Sequence, residues 1–254
     1  MRILTCVKRV PAPGAKIVVN ADGQDIDTNM LGFTVSPHEE CAAEEAIQQI
    51  EKHGGSSTVM TLGPAEAEEQ LRTAISVGVN EAVLLTTDGS DWDPMATARA
   101  LTAAIESIES SDGPFDLIFF GNESADSGGY QVGVRVARAL GRPMVTGIKA
   151  VDVADGIVSA RRDTPTGAEV YELPLPAVLG IKEGINLPRY PTLKGRLGAK
   201  KIEVRVIEAA AEAGGQSMVT LVAPPSQETP TEILGHGADA APAVVDVLEG
   251  LGVL

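Results

Sequence analysis

The stretch Asp116-Leu-Ile-Phe-Phe-Gly-Asn-Glu-Ser-Ala-Asp-Ser-Gly-Gly-Tyr-Gln-Val-Gly133 decides the fold class, because it joins an apolar run to a glycine-containing loop and a helical pattern. An apolar run as continuous as residues 117–120 is typical of a parallel strand buried on both faces. Amphipathic spacing predicts a helix over residues 130–140. A strand, a loop and a helix in this order indicate a parallel α/β sheet, in which ligands bind beyond the carboxyl ends of the strands.

Short apolar runs alternate with longer helical patterns on both sides of this stretch, as they do in βαβ units. Helical spacing is present over residues 37–53, over residues 94–108 and in a segment that opens at Pro64. The predicted strands are residues 2–7, 57–62, 82–86, 116–120, 177–181 and 202–206. The sequence therefore predicts an α/β fold built on a mostly parallel sheet.

Two regions depart from this alternation. Apolar runs on both sides of Asp155-Gly156 predict a hairpin, and hence a β-ribbon beside the parallel sheet. From Ala209 the chain is rich in Ala, Gly, Pro and Thr and shows little periodicity until a helical pattern over residues 241–251. We expect residues 1–207 to form the α/β domain and residues 208–254 to form an extended C-terminal arm that packs on a partner subunit. The alternative is a disordered tail.

Composition excludes some classes of function. The net charge of −15 and the aromatic content of 3% argue against nucleic-acid binding, which needs positive patches and stacking surfaces. The two cysteines, Cys6 and Cys41, have no metal-ligand spacing and indicate a reduced compartment. Neither a signal peptide nor an apolar run of membrane-spanning length is visible, so we expect a cytoplasmic protein without stable membrane insertion.

The loop after residue 120 is the richest candidate site. Gly128 and Gly129 let backbone amides approach an anion where a helix dipole supplies positive potential, which predicts a phosphate site. The alternative is an ordinary strand-to-helix turn capped by Ser127. Two further segments, Ser36-Pro37-His38-Glu39 and Leu62-Gly63-Pro64, also begin helices, so three helix N-termini are expected to converge on one edge of the sheet.

Catalytic motifs do not fit this loop. The first strand is not followed by a G-x-G-x-x-G fingerprint, and no Walker loop occurs. Ser127-Gly128-Gly129 follows the fourth strand and lacks the acid of an ATP-pyrophosphatase loop. The three histidines, His38, His53 and His236, are scattered, so neither a metal site nor nucleophilic catalysis is predicted. We expect a protein that is not an enzyme.

A second unusual segment is Asn186-Leu-Pro-Arg-Tyr-Pro-Thr-Leu-Lys-Gly-Arg-Leu-Gly-Ala-Lys-Lys201. It presents Leu193 and Leu197 among basic residues in a chain that is otherwise acidic. An exposed leucine within a polar rim has the form of a docking anchor. The alternative is a loop that leads into a helix packed on its own domain.

Several motifs in order and spacing resemble the β subunits of electron transfer flavoproteins. The segment from Asn186 resembles their N-x-P-R-[YF]-x-[ST]-[LF] signature, and Cys6-Val-Lys-Arg-Val-Pro11 is similar to their first strand and turn. Ser36-Pro37-x-Glu39 resembles the start of their second helix, and Gly121-Asn-Glu-Ser-x-Asp126 resembles their nucleotide loop. The resemblance runs from Arg2 to about Val206.

The resemblance implies a three-layer α/β fold of the adenine-nucleotide-binding type, with helices on both faces of the sheet. It also implies an electron carrier that passes electrons from dehydrogenases, such as acyl-CoA dehydrogenases, to a downstream acceptor. It implies a heterodimer whose α subunit holds most of the redox FAD, with structural AMP bound here, or a second FAD in an electron-bifurcating variant. A further alternative is a stand-alone adenine-nucleotide sensor. The implied nucleotide contacts are Cys6, Ser36, Pro37, His38, Glu39, Leu62, Gly121, Asn122, Glu123, Ser124, Ala125, Asp126, Ser127, Gly128, Gly129, Tyr130, Gln131 and Val132.

The same resemblance implies two surfaces that meet other proteins. Residues 181–203 correspond to a recognition loop whose leucine fills a pocket on the dehydrogenase. Asp163 corresponds to an acid that positions the mobile flavin domain. The implied docking residues are Pro188, Arg189, Tyr190, Leu193 and Leu197.

Overall fold

A computed structural model of the chain describes residues 1–210, 215–225 and 231–254. The strands are β1 (Arg2–Val7), β2 (Val10–Pro11), β3 (Phe33–Thr34), β4 (Ser56–Gly63), β5 (Glu81–Thr86), β6 (Leu117–Gly121), β7 (Met144–Ala154), β8 (Ile157–Thr164), β9 (Gly167–Pro174), β10 (Ala177–Ile181) and β11 (Val204–Glu208). The helices are α1 (Pro37–His53), α2 (Glu68–Val77), α3 (Pro94–Asp112), α4 (Val132–Ala139), α5 (Leu193–Ala199) and α6 (Ala241–Gly250).

The main sheet has nine strands in the order β11-β5-β4-β1-β6-β10-β7-β8-β9. Neighbouring strands from β11 to β7 are parallel, and β8 and β9 continue the sheet in antiparallel pairing. The six predicted strands are all present, with small differences at their ends. Helix α1 has the predicted bounds, whereas the helix predicted to open at Pro64 begins as a short 3-10 turn before α2.

The helices cover both faces of the sheet and complete three layers. On one face, α3 and α4 pack on an apolar cluster that includes Leu4, Leu101 and Ile118. On the other face, α1 and α2 pack on clusters that include Phe119 and Leu71. Aliphatic side chains dominate these clusters, as the low aromatic content requires. The predicted three-layer α/β fold is confirmed.

The predicted ribbon is larger than a hairpin. The first part of β7 pairs with β10 in the parallel sheet, and its second part pairs with β8. Asp155 and Gly156 join β7 to β8 with φ values of 51° and 76°. Positive φ at both positions is typical of the two-residue turns that match the twist of a hairpin.

The C-terminal region beyond β11 is only partly described. Residues 211–214 and 226–230 of the predicted arm lie outside the described residues. The N–H of Leu221 donates to the Gly23 carbonyl over 2.8 Å, and Gln24 Nε2 donates to the Val219 carbonyl over 3.0 Å. Part of the arm therefore lies against the chain's own loop after β2, and no residue of α6 is buried.

Replacing Phe119 with alanine tests the core. Phe119 is fully buried between the sheet and α1, so the change should lower the free energy of unfolding by about 3–5 kcal/mol. Urea denaturation of the purified protein, followed by the fluorescence of the single tryptophan, Trp92, measures this value. Val170→Ala is the control, because Val170 is 62% exposed and its loss should change stability by less than about 0.5 kcal/mol. Equal effects of the two changes would contradict the core assignment.

Candidate nucleotide site and docking helix

Three connections meet at one edge of the sheet. Strand β1 lies between β4 and β6 and is parallel to both, so the three carboxyl ends share that edge. The chain leaves these ends at Lys8, Pro64 and Asn122. These three strand ends therefore meet at the place where parallel α/β sheets bind ligands, and the chain after β1 passes through β2 and β3 before α1 begins.

The loop between β6 and α4 is open. A β-carbon added at Gly128 or Gly129 would meet nothing within 4 Å, and Gly128 and Tyr130 have φ values of 55° and 54°. Helix α4 begins at Val132, and its N-cap residue, Gln131, makes no side-chain cap hydrogen bond. The first N–H groups of α4 are therefore left for an external acceptor, which an anion such as a phosphate supplies.

Ser127 does not cap α4, so the alternative of a self-capped turn is wrong. Its hydroxyl lies 2.8 Å from the hydroxyl of Ser124, and its N–H donates to Asp126. The helix starts later than the sequence predicts, so Ser127 is too far from its first turn. The residues present thus fit a phosphorylated ligand at Gly128 and Gly129.

The acids of this loop are paired with basic groups. Lys8 Nζ donates to Asp126 Oδ2, and His38 Nε2 lies 3.3 Å from Glu123 Oε1. Burial would raise the pKa of Asp126, but the hydrogen bond and positive charge of Lys8, together with hydrogen bonds from Ser124 and Ser127, outweigh burial and lower it. Asp126 therefore stays ionised beside the ammonium group of Lys8. This positive charge offsets the negative charge of Asp126, which would otherwise repel a phosphate. Lys8 was missed as a site residue, although it follows the first strand directly.

Glu39 joins the segments of the site. It is 5% exposed, and its two carboxylate oxygens accept the N–H groups of Lys8 and Ser36, each over 2.9 Å. Ser36 accepts the N–H of Glu39 in return, which completes a capping box at the start of α1. A β-carbon at Gly121 would lie 2.7 Å from Glu39 Cγ, so only glycine lets β6 end this close to α1.

Burial raises the pKa of Glu39 from 4.5 to about 7, although the hydrogen bonds from Ser36 and Lys8 lower it in part. A nearby negative charge, Asp126, also raises it. Glu39 is thus a buried acid that titrates near neutral pH.

His38 links the loop between β6 and α4 to the connection that follows β10. Its Nδ1 accepts the N–H of Glu183 over 2.7 Å, so the neutral ring carries its proton on Nε2 and donates it to Glu123. Pro37, the first residue of α1, fixes the entry of this helix.

Other predicted contacts lie beneath the loop. Cys6, Leu62 and Val132 share the apolar cluster on the α3 and α4 face. Burial raises the pKa of the Cys6 thiol, so this cysteine is a small apolar residue rather than a nucleophile. The structure thus brings together polar groups on the α1 side and apolar groups on the α3 side of the same edge.

The predicted docking segment ends in α5. Leu193 and Leu197 are 75% and 55% exposed, and with Lys194 and Lys201 they line a shallow groove of about 480 Å³. The other side of α5 packs on α2, where a β-carbon at Gly195 would collide with the carbonyl of Ser76. The basic leucine surface is therefore presented by a helix anchored on its own domain.

Arg189 and Asp163 are both engaged within the chain. Arg189 is hydrogen-bonded to Glu44 and Glu51 of α1. Asp163 is paired with Arg161 over 2.7 Å on the exposed ribbon. Tyr190 is 90% exposed, and Pro188 lies between residues anchored on α1.

Across residues 1–210, 215–225 and 231–254, no group of three or more His, Cys, Asp or Glu side chains has the arrangement of a metal site. In the same ranges, no helix combines the length and the apolar character that crossing a bilayer requires.

The fold and the site define a three-layer α/β protein with an uncapped glycine loop at the carboxyl edge of its parallel sheet. Residues 26–212 match the electron transfer flavoprotein domain family. An electron transfer flavoprotein subunit beta of Mycobacterium bovis is 36% identical over 214 residues, covering 82% of this chain and 79% of the relative. That of Bacillus subtilis is 32% identical over 257 residues, covering 98% and 97%. Protein FixA of Bradyrhizobium diazoefficiens is 31% identical over 265 residues, covering 98% and 91%.

The chain belongs to the electron transfer flavoprotein family, among its β subunits. The resemblance inferred from the motifs is thereby confirmed, and with it a role in electron transfer.

Replacing Glu39 with glutamine should remove a pH dependence of stability. The folded state raises the pKa of Glu39, so its contribution to stability is complete below about pH 4.5 and is lost as the pH rises through about 7. The glutamine variant lacks this titration. Relative to the parent, it should therefore gain on the order of 3 kcal/mol between these pH values, at about 1.4 kcal/mol per pKa unit. Urea denaturation at several pH values measures the difference, and a constant difference would contradict the burial of an ionisable group.

Proposed function

We propose that this chain is the β subunit of a heterodimeric electron carrier. With an α subunit it accepts electrons from dehydrogenases and passes them through FAD to a downstream acceptor. Family membership supports this role, and the uncapped glycine loop at the carboxyl edge is the observation that carries the nucleotide assignment. The protein carries electrons and catalyses no bond chemistry of its own, and its place is the cytoplasm.

AMP is the ligand proposed for the carboxyl edge. The N–H groups around Gly128, Gly129 and the start of α4 would hold its phosphate, and Lys8 would lie beside it through its pair with Asp126. AMP would serve a structural role, since it is redox-inert. A ligand that binds only the folded chain stabilises it by mass action.

The redox FAD is proposed to lie mostly in the α subunit. The exposed ribbon of β8 and β9 carries Asp163, the acid proposed to position the flavin domain. Asp163 is paired with Arg161, so contact with the flavin domain would replace this ion pair by one between the two subunits. The unburied face of α6, with Val244, Val245 and Val247, is proposed to pack on the same subunit, as part of an arm over residues 208–254 that extends from the domain of residues 1–207.

Helix α5 is the proposed docking site for acyl-CoA dehydrogenases. Leu193 and Leu197 form an apolar pair on its exposed side, and Lys194, Arg196 and Lys201 surround them with positive charge. In a chain with a net charge of −15, this local excess of cations favours a partner with an acidic rim around an apolar pocket.

Denaturing the purified heterodimer should release an adenine nucleotide. We expect about one AMP and one FAD per heterodimer, identified by chromatography and mass spectrometry. Release of two FAD and no AMP would instead indicate that a second flavin occupies the site, as in an electron-bifurcating variant. A chain that purifies alone and colourless with bound nucleotide would favour the sensor alternative. Absence of any adenine nucleotide would refute the site at Gly128 and Gly129.

Replacing Leu193 with alanine should weaken docking without altering the flavin. Truncating a buried anchor should cost about 2 kcal/mol or more, which raises the apparent KM for the heterodimer about 30-fold in reduction by an acyl-CoA dehydrogenase. Flavin content and absorbance should stay unchanged. Leu187→Ala is the matched control, since Leu187 is 87% exposed in the same segment but precedes α5. Unchanged kinetics for Leu193→Ala would remove α5 from the docking surface.

A further inference from the structure

The segment before α5 is fastened along α1 at successive points. The N–H of Glu183 meets His38, and Asn186 Nδ2 donates to the Cys41 carbonyl and to Glu45 Oε2, each over 3.1 Å. Every third residue of the segment, from Glu183 through Asn186 to position 189, thus contacts α1 further toward its carboxyl end. The segment is held to a helix rather than free in solvent.

Arg189 is the last and strongest of these contacts. Its N–H, Nε and Nη2 donate to Glu44 over 3.2, 2.9 and 3.0 Å, and Nη1 and Nη2 donate to Glu51 over 2.7 and 3.0 Å. Glu44 is 4% exposed, and Gln48 also donates to it. A guanidinium that bonds two carboxylates in this forked way fixes both position and orientation.

A second arginine holds the other end of α5. Arg72 of α2 donates through Nη1 to the carbonyls of Ala199 and Ile202, and through Nε to Glu68. The Ala199 carbonyl, at the end of α5, lacks a partner within the helix, so Arg72 satisfies a group that would otherwise need water.

We propose that Arg189 and Arg72 are positioning residues that hold α5 rigid from its two ends, so that Leu193 and Leu197 reach the partner already in their bound arrangement. This inference rests on the proposed docking function of α5. Neither arginine need touch the partner. Both restrict α5 before the partner binds, so less conformational entropy is lost on docking. This favours association without enlarging the contact surface.

Because Glu44 is buried, its pair with Arg189 should be less sensitive to salt than a fully exposed ion pair. Burial alone would raise the pKa of Glu44, but the hydrogen bonds from Arg189 and Gln48 lower it, so the carboxylate stays ionised and paired. Buried pairs are screened less by salt than exposed ones. The rigidity of α5 should therefore persist at ionic strengths that weaken the attraction between its exposed lysine and arginine side chains and an acidic partner.

Hydrogen exchange of the intact heterodimer, measured by mass spectrometry, tests the two contacts separately. Arg189→Met should raise exchange about 10-fold or more in residues 187–194, and Arg72→Met should do so in residues 196–202. Arg205→Met is the matched control, because Arg205 of β11 forms an exposed pair with Asp112 at the end of α3. Glu51→Gln is a milder second variant, since it keeps the buried Glu44 paired and should give a smaller effect in residues 187–194.

Reduction by an acyl-CoA dehydrogenase then links rigidity to docking. Arg189→Met and Arg72→Met should each raise the apparent KM about 5-fold and leave kcat and the flavin spectrum unchanged. Combined with Leu193→Ala, Arg189→Met should add little, because the anchor that it positions is gone.

The outcomes separate the two proposals. If Leu193→Ala is without effect, the docking function fails, and the positioning role fails with it. If Leu193→Ala impairs transfer but the arginine variants match Arg205→Met in exchange or in KM, only the positioning role is overturned.

Discussion

Helix α1 buries three carboxylates, Glu39, Glu44 and Glu45, each no more than 5% exposed. A buried charge is costly unless hydrogen-bond donors surround it. Donors on α1 itself supply only part of this requirement, so other segments must approach. Lys8 reaches Glu39, Asn186 reaches Glu45, and position 189 reaches Glu44. The placement of both candidate sites therefore depends on the hydrogen bonds that the buried carboxylates of α1 require.

This constraint explains why the candidate nucleotide site at the carboxyl edge and the candidate docking segment occupy fixed places on the same domain. The start of α1 brings Lys8 and the β6 end at Gly121 together at Glu39, and its later turns hold the chain that leads into α5. His38 contacts both regions, through Glu123 on one side and Glu183 on the other. The apolar face of α1 is meanwhile fixed on the sheet, so the segments that bond to it are fixed as well.

The sequence predicted the elements well because each of them is encoded locally. Continuous apolar runs marked the parallel strands, Ser36 with Glu39 marked the start of α1, and Asp155-Gly156 marked the ribbon turn. Partners that are distant along the chain were not predictable in this way. The pairing of Lys8 with Asp126, which are 118 residues apart, exists only because β1 lies beside β6. The alternative of a Ser127 cap was wrong because a single residue type does not reveal where the helix begins.

The two candidate sites make opposite physical demands, and the structure meets each differently. A ligand that is kept needs unsatisfied backbone donors at a rigid edge, which the glycine loop before α4 offers. A partner that must leave after each transfer needs a small contact, and small interfaces are typical of electron-transfer encounters. A leucine pair on a helix that is held at both ends loses little conformational entropy on contact. It can therefore be selective over such a small area. Under the proposed docking role of α5, recognition would therefore depend more on the rigidity of this helix than on the area of contact.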